Sequence, residues 1–240
     1  MSSNEPGIQA IPDAVLDQLE VLAAVEHALI VECLTVGYAL GSGLDQTEGG
    51  PTTDEGRAVV EAAHARAIAE MSHFRTLNQA LVSAGRTART DRASSVTTGS
   101  GTAISLDPPS LAELQQLTTR EPAIAAAVDA QYAKLDPAAV QSVFFTLPEH
   151  ATDFAAMVAP LASVTPDVYL RATRRAATDS FEQRLLDASD SAYGLIVRAL
   201  DEQFGSSGSS GLLPGYTMGT ADEVNVLLVQ RGLLPPFTSP

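Results

Sequence analysis

Glu70 and His73 stand three residues apart in Ala69-Glu70-Met71-Ser72-His73-Phe74, and Glu26 opens the stretch Glu26-His27-Ala28-Leu29-Ile30-Val31-Glu32-Cys33-Leu34. On a helix, positions i and i+3 lie about 5–6 Å apart on one face. A carboxylate and an imidazole at that spacing can grip one ion, and a Glu from an adjacent helix can bridge to a second. Di-iron and di-manganese helix bundles use this ligand set. The tetrapeptide also arises by chance, since Glu61-Ala62-Ala63-His64 matches it too. Position on the helix separates the two. At about 100° per residue, Glu70 falls in the middle of the apolar stripe Val59, Ala63, Ala67, Phe74, Leu77 and Leu81, with His73 and Arg66 on its edge. Glu61 points the opposite way and reads as solvent-facing. Glu26 is likewise central to the stripe Leu19, Leu22, Ala23, Leu29, Ile30, Cys33, Gly37 and Leu40. Asp17, Glu20 and Glu32 fall on other faces; His27 and Glu32 read as surface groups or as supports to a ligand.

Two carboxylates turned into a shared core are costly, and like charges at close range cost more. A proton, an Arg partner such as Arg66, or metal ions would offset this. The ligand spacing favours metal, iron or manganese, bound by Glu26, Glu70 and His73. The competing reading is a buried ion pair between Glu70 and Arg66 with a satisfied core histidine.

The elements that must position these residues are helices. Residues 12–40 and 53–84 are rich in Ala, Leu and Glu, start near Pro12 and Thr53, and stop at Gly41 and Gly85. Joined by a short loop, they read as an antiparallel hairpin. Residues 86–109 form a Ser/Thr/Gly/Arg-rich excursion with one short apolar run, Ile104-Ser105-Leu106. An excursion this long usually has a task, here that of a lid over the site. Ser110 suits the cap of a short helix over 111–117, and Pro122 the start of another to about 135. Further helices are expected over 148–162 and 166–204, the last with Leu170, Ala177, Phe181, Ala188, Ala192, Leu195 and Ala199 on one face. The domain reading is a helical unit over 1–204, a Gly/Ser linker over 205–211, and a tail over 212–240. That tail carries a near-repeat, Gly211-Leu212-Leu213-Pro214-Gly215-Tyr216 and Gly232-Leu233-Leu234-Pro235-Pro236-Phe237. It is expected to pack back onto the helices or a second copy; docking onto a partner protein is the alternative.

The 240 residues are 45% hydrophobic, enough for a core, and carry 29 Asp and Glu against 14 Lys and Arg, a formal charge of −15. Such a surface repels phosphate backbones and anionic membranes, so neither nucleic acid nor membrane is an expected partner. The single cysteine, Cys33, excludes an internal disulfide and a Cys-rich metal cluster. No run approaches the roughly 18 apolar residues of a membrane span. The start, with Glu5 and Pro6, lacks the pattern of a signal peptide, and a cytoplasmic protein is expected.

The two helix signatures together resemble a known family. Glu26 to Leu34 resembles the first-helix signature, and Glu70-Met71-Ser72-His73-Phe74 with Leu77-Asn78-Gln79-Ala80-Leu81 the second-helix signature, of the ferritin-like family found in iminophenyl-pyruvate dimer synthases, enzymes of the violacein and rebeccamycin type of bisindole biosynthesis. Ile104-Ser105-Leu106-Asp107-Pro108-Pro109-Ser110-Leu111 and Arg120-Glu121-Pro122 resemble the segment that follows. The likeness runs over about residues 12–135. It implies an all-α, ferritin-like four-helix bundle with a long excursion after the second helix and extra C-terminal helices. It also implies a metal centre with Glu26, Glu70 and His73 as ligands, and an oxidative reaction on a small molecule in secondary metabolism or natural product biosynthesis.

The departures bear on the site. Where the family's third helix has a Glu before a Tyr, this chain has Val128-Asp129-Ala130-Gln131-Tyr132, with Gln131 on the apolar stripe. The last long helix has no central carboxylate; Arg184 lies near its inner face instead. His150 and Asp153, at i and i+3 after Pro148, are the further candidate ligands, although surface exposure is the preferred reading of both. Arg66 and Arg184 are candidates for holding a substrate or supporting a ligand. The expectation is a metal-dependent oxidoreductase, dinuclear or mononuclear, with a homo-oligomer left open. The alternative is a degenerate, metal-free scaffold that binds small molecules or docks a protein.

Overall fold

The computed structural model describes residues 11–44, 50–51, 53–141, 143–144, 147–205 and 215–238. They are mostly helical, with one small two-stranded hairpin, so the all-α expectation stands. Helix α1 spans Asp13–Ala39 and α2 spans Asp54–Ser83. Each starts as its sequence dictates. Pro12 precedes α1 with φ −60°, and Thr53 caps α2 by accepting the Gly56 N–H at 3.0 Å. Gly85 ends α2 at φ +81°, and the Arg86 N–H returns to the Leu81 carbonyl at 2.9 Å, the hydrogen-bond pattern of a glycine-terminated helix. Arg86 ion-pairs with Asp13 and Asp17, near the start of α1, while His64 of α2 hydrogen-bonds Ser42 just past its end. The two helices therefore run antiparallel, and their interface is the largest between elements.

Helix α1 is not the half-exposed helix its stripe suggested. Every residue from 22 to 33 is buried, as befits a helix packed on all sides. His27 and Glu32, expected at the surface or as ligand supports, are buried at 5% and 1% exposure.

The excursion after α2 carries the hairpin β1 (Ser95–Thr97) and β2 (Ala103–Ser105), antiparallel with Val96 opposite Ile104. The buried Asn78 pins its start, accepting the Arg89 N–H at 2.6 Å and donating to the Arg89 carbonyl at 3.2 Å. Next come α3 (Leu111–Leu114), opened by a Ser110/Glu113 capping box, and α4 (Leu117–Tyr132). α4 begins a turn earlier than Pro122, which lies within the helix rather than opening it. α5 (Pro137–Val140), α6 (Ala151–Val158) with a following 3₁₀ turn, and α7 (Pro166–Tyr169) are short. α6 packs between α4 and α2.

The expected single helix over 166–204 is broken: residues 170–179 hold no helix, and α8 spans Ser180–Gly205. Its inward face is Leu185, Ser189, Tyr193 and Val197, so the expected face is rotated out and Phe181 and Leu195 are 41% and 52% exposed. α9 (Gly215–Gln230) packs on α8 and α1. Of the expected linker, residues 206–211 lie outside the described residues. The tail returns to the core: Leu233, Leu234 and Phe237 are buried, Thr173 exchanges backbone bonds with Gly232 and Leu234, and Arg92 donates to the Phe237 carbonyl at 2.8 Å. Among the described residues, no helix is long and apolar enough to cross a membrane.

Candidate metal centre

Glu26 of α1, Glu70 and His73 of α2, and His150 at the start of α6 meet in one group, each offering a ligand atom within 4.8 Å of the others. Glu26, Glu70 and His150 are fully buried, and the His73 side chain is 25% exposed. His73 Nδ1 lies 2.8 Å from Glu70 Oε2 and 3.7 Å from Glu26 Oε2. His150 Nε2 lies 3.3 Å from both Glu26 Oε1 and Glu70 Oε2, yet in an orientation that makes no hydrogen bond. Glu26 Oε2 likewise has no hydrogen-bond partner. Two buried polar atoms without a hydrogen bond, one a carboxylate oxygen and one an imidazole nitrogen, therefore sit in the same group. Buried polar atoms are otherwise nearly always satisfied. Two carboxylates and two imidazoles within this spread can hold a metal ion of the first transition row.

Three of the four ligand groups are held from behind. Asp129 of α4 accepts from His150 Nδ1 at 2.7 Å and from the His150 and Ala151 N–H groups at 2.8 Å. The same carboxylate thus caps α6 and holds a proton on Nδ1, so that Nε2 is the nitrogen that would ligate once its own proton is displaced. Tyr132, one turn further along α4, donates to Glu26 Oε1 and stacks on His150 with ring centroids 5.4 Å apart. Arg66 ion-pairs with Glu70 and reaches Asp153 at 2.7 Å.

Ionisation follows from this packing. Burial pushes the Glu70 carboxyl up, but the contacts with His150 and His73 outweigh it and hold the group well below the ordinary carboxylate range. Burial pulls His73 and His150 down, but the flanking Glu26 and Glu70 carboxylates win, raising them to about 9 and about 10.

The group joins Glu26, Glu70 and His73 with His150, whose expected surface exposure is corrected. Gln131 is not in it, because its amide turns outward to the Thr97 carbonyl at 2.6 Å. Asp153 is not in it either: its side chain is 53% exposed and serves Arg66. Arg184 is exposed, with its guanidinium over the Phe181 ring, because α8 is rotated from its expected face. The excursion contributes no ligand. It packs on α1 through Ala93 and through Thr90, whose carbonyl bonds His27 at 2.8 Å, and on α4 through Thr97. Spacing alone assigns no role to Asp129 or Tyr132, because the groups they hold, His150 and Glu26, lie on other elements. Comparison with family models, curated proteins and solved structures returned no match.

Asp129→Asn is expected to lower metal affinity about 10- to 100-fold, the usual cost of losing a ligand's supporting carboxylate. A competition titration against a chromophoric chelator measures it.

Proposed function

We propose that this chain is a mononuclear metalloprotein of ferritin-like type, in which Glu26, Glu70, His73 and His150 bind iron or manganese and the bound metal oxidises a small molecule. The observation that carries the metal reading is the pair of buried atoms without a hydrogen bond, Glu26 Oε2 and His150 Nε2, within one cluster of four ligand groups. The family resemblance of residues 12–135 supports the ferritin-like and oxidative parts. In this reading α1, α2, α4 and α6 supply the bundle, with α4 giving Asp129 and Tyr132 in place of a third-helix Glu ligand. Bound iron or manganese would supply a redox-active Lewis acid. The chain's own part is to fix two carboxylates and two imidazoles, to keep the proton of His150 on Nδ1, and to leave His73 as the partly exposed edge. Elemental analysis and an ultraviolet-visible spectrum in air, on protein purified without chelator, test it. About one iron or manganese per chain, lost in Glu70→Ala, is expected; a metal content that Glu70→Ala leaves unchanged counts against the assignment.

A second reading rests on the 2.8 Å contact of His73 with Glu70. Here both imidazoles are protonated and, with Arg66, neutralise the two carboxylates without metal. The two readings differ in pH response. In metal-free protein both histidines have native values above their unfolded one, about 6.5. Their stabilisation is complete below that value and is lost as pH rises through about 9 and about 10. Thermal melts of chelator-treated protein are therefore expected to fall over this interval, and melts of metal-loaded protein to stay level, because the metal replaces the protons.

A further inference from the structure

We infer that Glu32 and Glu121 form a buried proton-binding site, separate from the metal cluster, in which Glu121 is a neutral carboxylic acid donating to Glu32 at neutral pH. Glu32 of α1 is 1% exposed and Glu121 of α4 is 0% exposed. Among the described residues the cation paired with both is Arg120, its side chain 8% exposed. Arg120 gives both terminal nitrogens to Glu32 and one, at 2.8 Å, to Glu121 Oε1. Both carboxyl groups accept from the same guanidinium nitrogen, Arg120 Nη1. With both ionised, the buried set would carry one uncompensated negative charge, and Glu121 Oε2 would have no donor. That is the costly state for a buried acid. A proton on Glu121 removes the charge and supplies the missing donor between the two groups. Glu121 takes it because Arg120 holds Glu32 with two bonds and Glu121 with one.

Among the described residues, no second cation is ion-paired with either carboxyl group. Cys33 follows Glu32 on α1; burial foremost, then Glu70, Glu121 and Glu32, push its thiol well up against the opposing effect of Arg66. From α3, Glu113 lies 4.0 Å from Arg120 Nε and is 43% exposed, and the Ser105 carbonyl takes an Arg120 bond at 3.4 Å. Burial, then the Glu32 charge, push the Glu121 carboxyl well above its ordinary range.

The sign of the effect on folding follows. A carboxyl raised in the native state binds more protons there than in the unfolded chain, so stability falls as pH rises from the ordinary carboxylate range to the raised native value. Over that interval the unfolding constant of the wild type is expected to rise about tenfold per pH unit relative to Glu121→Gln, whose amide cannot ionise. Infrared spectroscopy of the full chain reads the proton directly. At about pH 8, far above the ordinary carboxylate range, the wild type should show a protonated-carboxyl carbonyl stretch that shifts in heavy water. It should be lost in Glu121→Gln and kept in Glu70→Gln. Glu32→Gln is the second variant: it leaves Arg120 and Glu121 matched one to one, so Glu121 ionises and the band again disappears. A wild type without the band, or a band that survives both Glu121→Gln and Glu32→Gln, overturns the assignment. Neither outcome depends on whether metal occupies the neighbouring cluster.

Discussion

His150→Ala is expected to weaken metal binding by more than about 100-fold, beyond what loss of a supporting residue costs. The reason is geometric. His150 Nε2 stands 3.3 Å from one oxygen of each carboxylate and is the nitrogen of the group that makes no hydrogen bond. Its removal leaves Glu26, Glu70 and His73, three donors on two helices, with nothing from the α6 side. The metal-free protein suffers as well. A protonated His150 lies between two fully buried carboxylates, and removing one partner from a buried charged set typically costs about 3–5 kcal/mol. The backbone should survive, because Asp129 still caps α6 through the N–H groups of positions 150 and 151. Added imidazole should restore part of the affinity by filling the vacated space. Chelator competition and thermal melts of the variant, with and without imidazole, check the three parts of this expectation.

The second large effect lies far from the cluster in sequence. A chain ending at Arg231 loses Leu233, Leu234 and Phe237, which are 0%, 3% and 5% exposed. Removing a large buried side chain costs about 2–5 kcal/mol. Three together approach the entire stability of an ordinary domain, about 5–15 kcal/mol. The truncation also strips Thr173 of its backbone partners. It is expected to leave a chain without a cooperative melt by circular dichroism, and Phe237→Ala alone to cost about 3 kcal/mol. Phe237 holds φ +45° while packing on Tyr38 and Tyr193, and Tyr193 in turn bonds His27 at 2.9 Å. The tail thereby braces α1 next to Glu26. A docking peptide, the alternative reading of this segment, could be removed without loss of stability.

What was legible in the sequence was what periodicity records. A carboxylate at the middle of an apolar stripe has no local reason to be there, and that anomaly picked out Glu26 and Glu70, with His73 following by spacing. The hairpin of α1 and α2, the stop at Gly85 and the Ser110 cap were readable for the same local reasons. His150 was not. It precedes a helix of only eight residues, Ala151–Val158, too short to define a face from its own sequence. What turns it inward is Asp129, more than twenty residues away on α4. The full burial of His27 and Glu32 does not follow from a single apolar stripe, which leaves them at the surface or beside a ligand. Yet Leu22 to Cys33 holds only His27 and two Glu among otherwise apolar residues, the composition of a helix enclosed on every side. Glu121 has no signal of its own, because Arg120, which ties it to Glu32, does so across two helices. The rotation of α8 is a tertiary effect: Arg175 binds Glu182 through both terminal nitrogens at 2.9 Å, fixing the start of the helix with Phe181 outward.

The central claim is that the four groups close on one metal ion. Calorimetric titration of chelator-treated protein with Mn²⁺, in two buffers of different ionisation enthalpy, tests it most directly. Ligating imidazoles must be neutral, and both histidines are protonated in the metal-free cluster near neutral pH. The account predicts one saturable site per chain, release of about two protons per ion bound, and loss of that site in His150→Ala. No saturable binding, or binding without proton release that His150→Ala leaves unchanged, would contradict it.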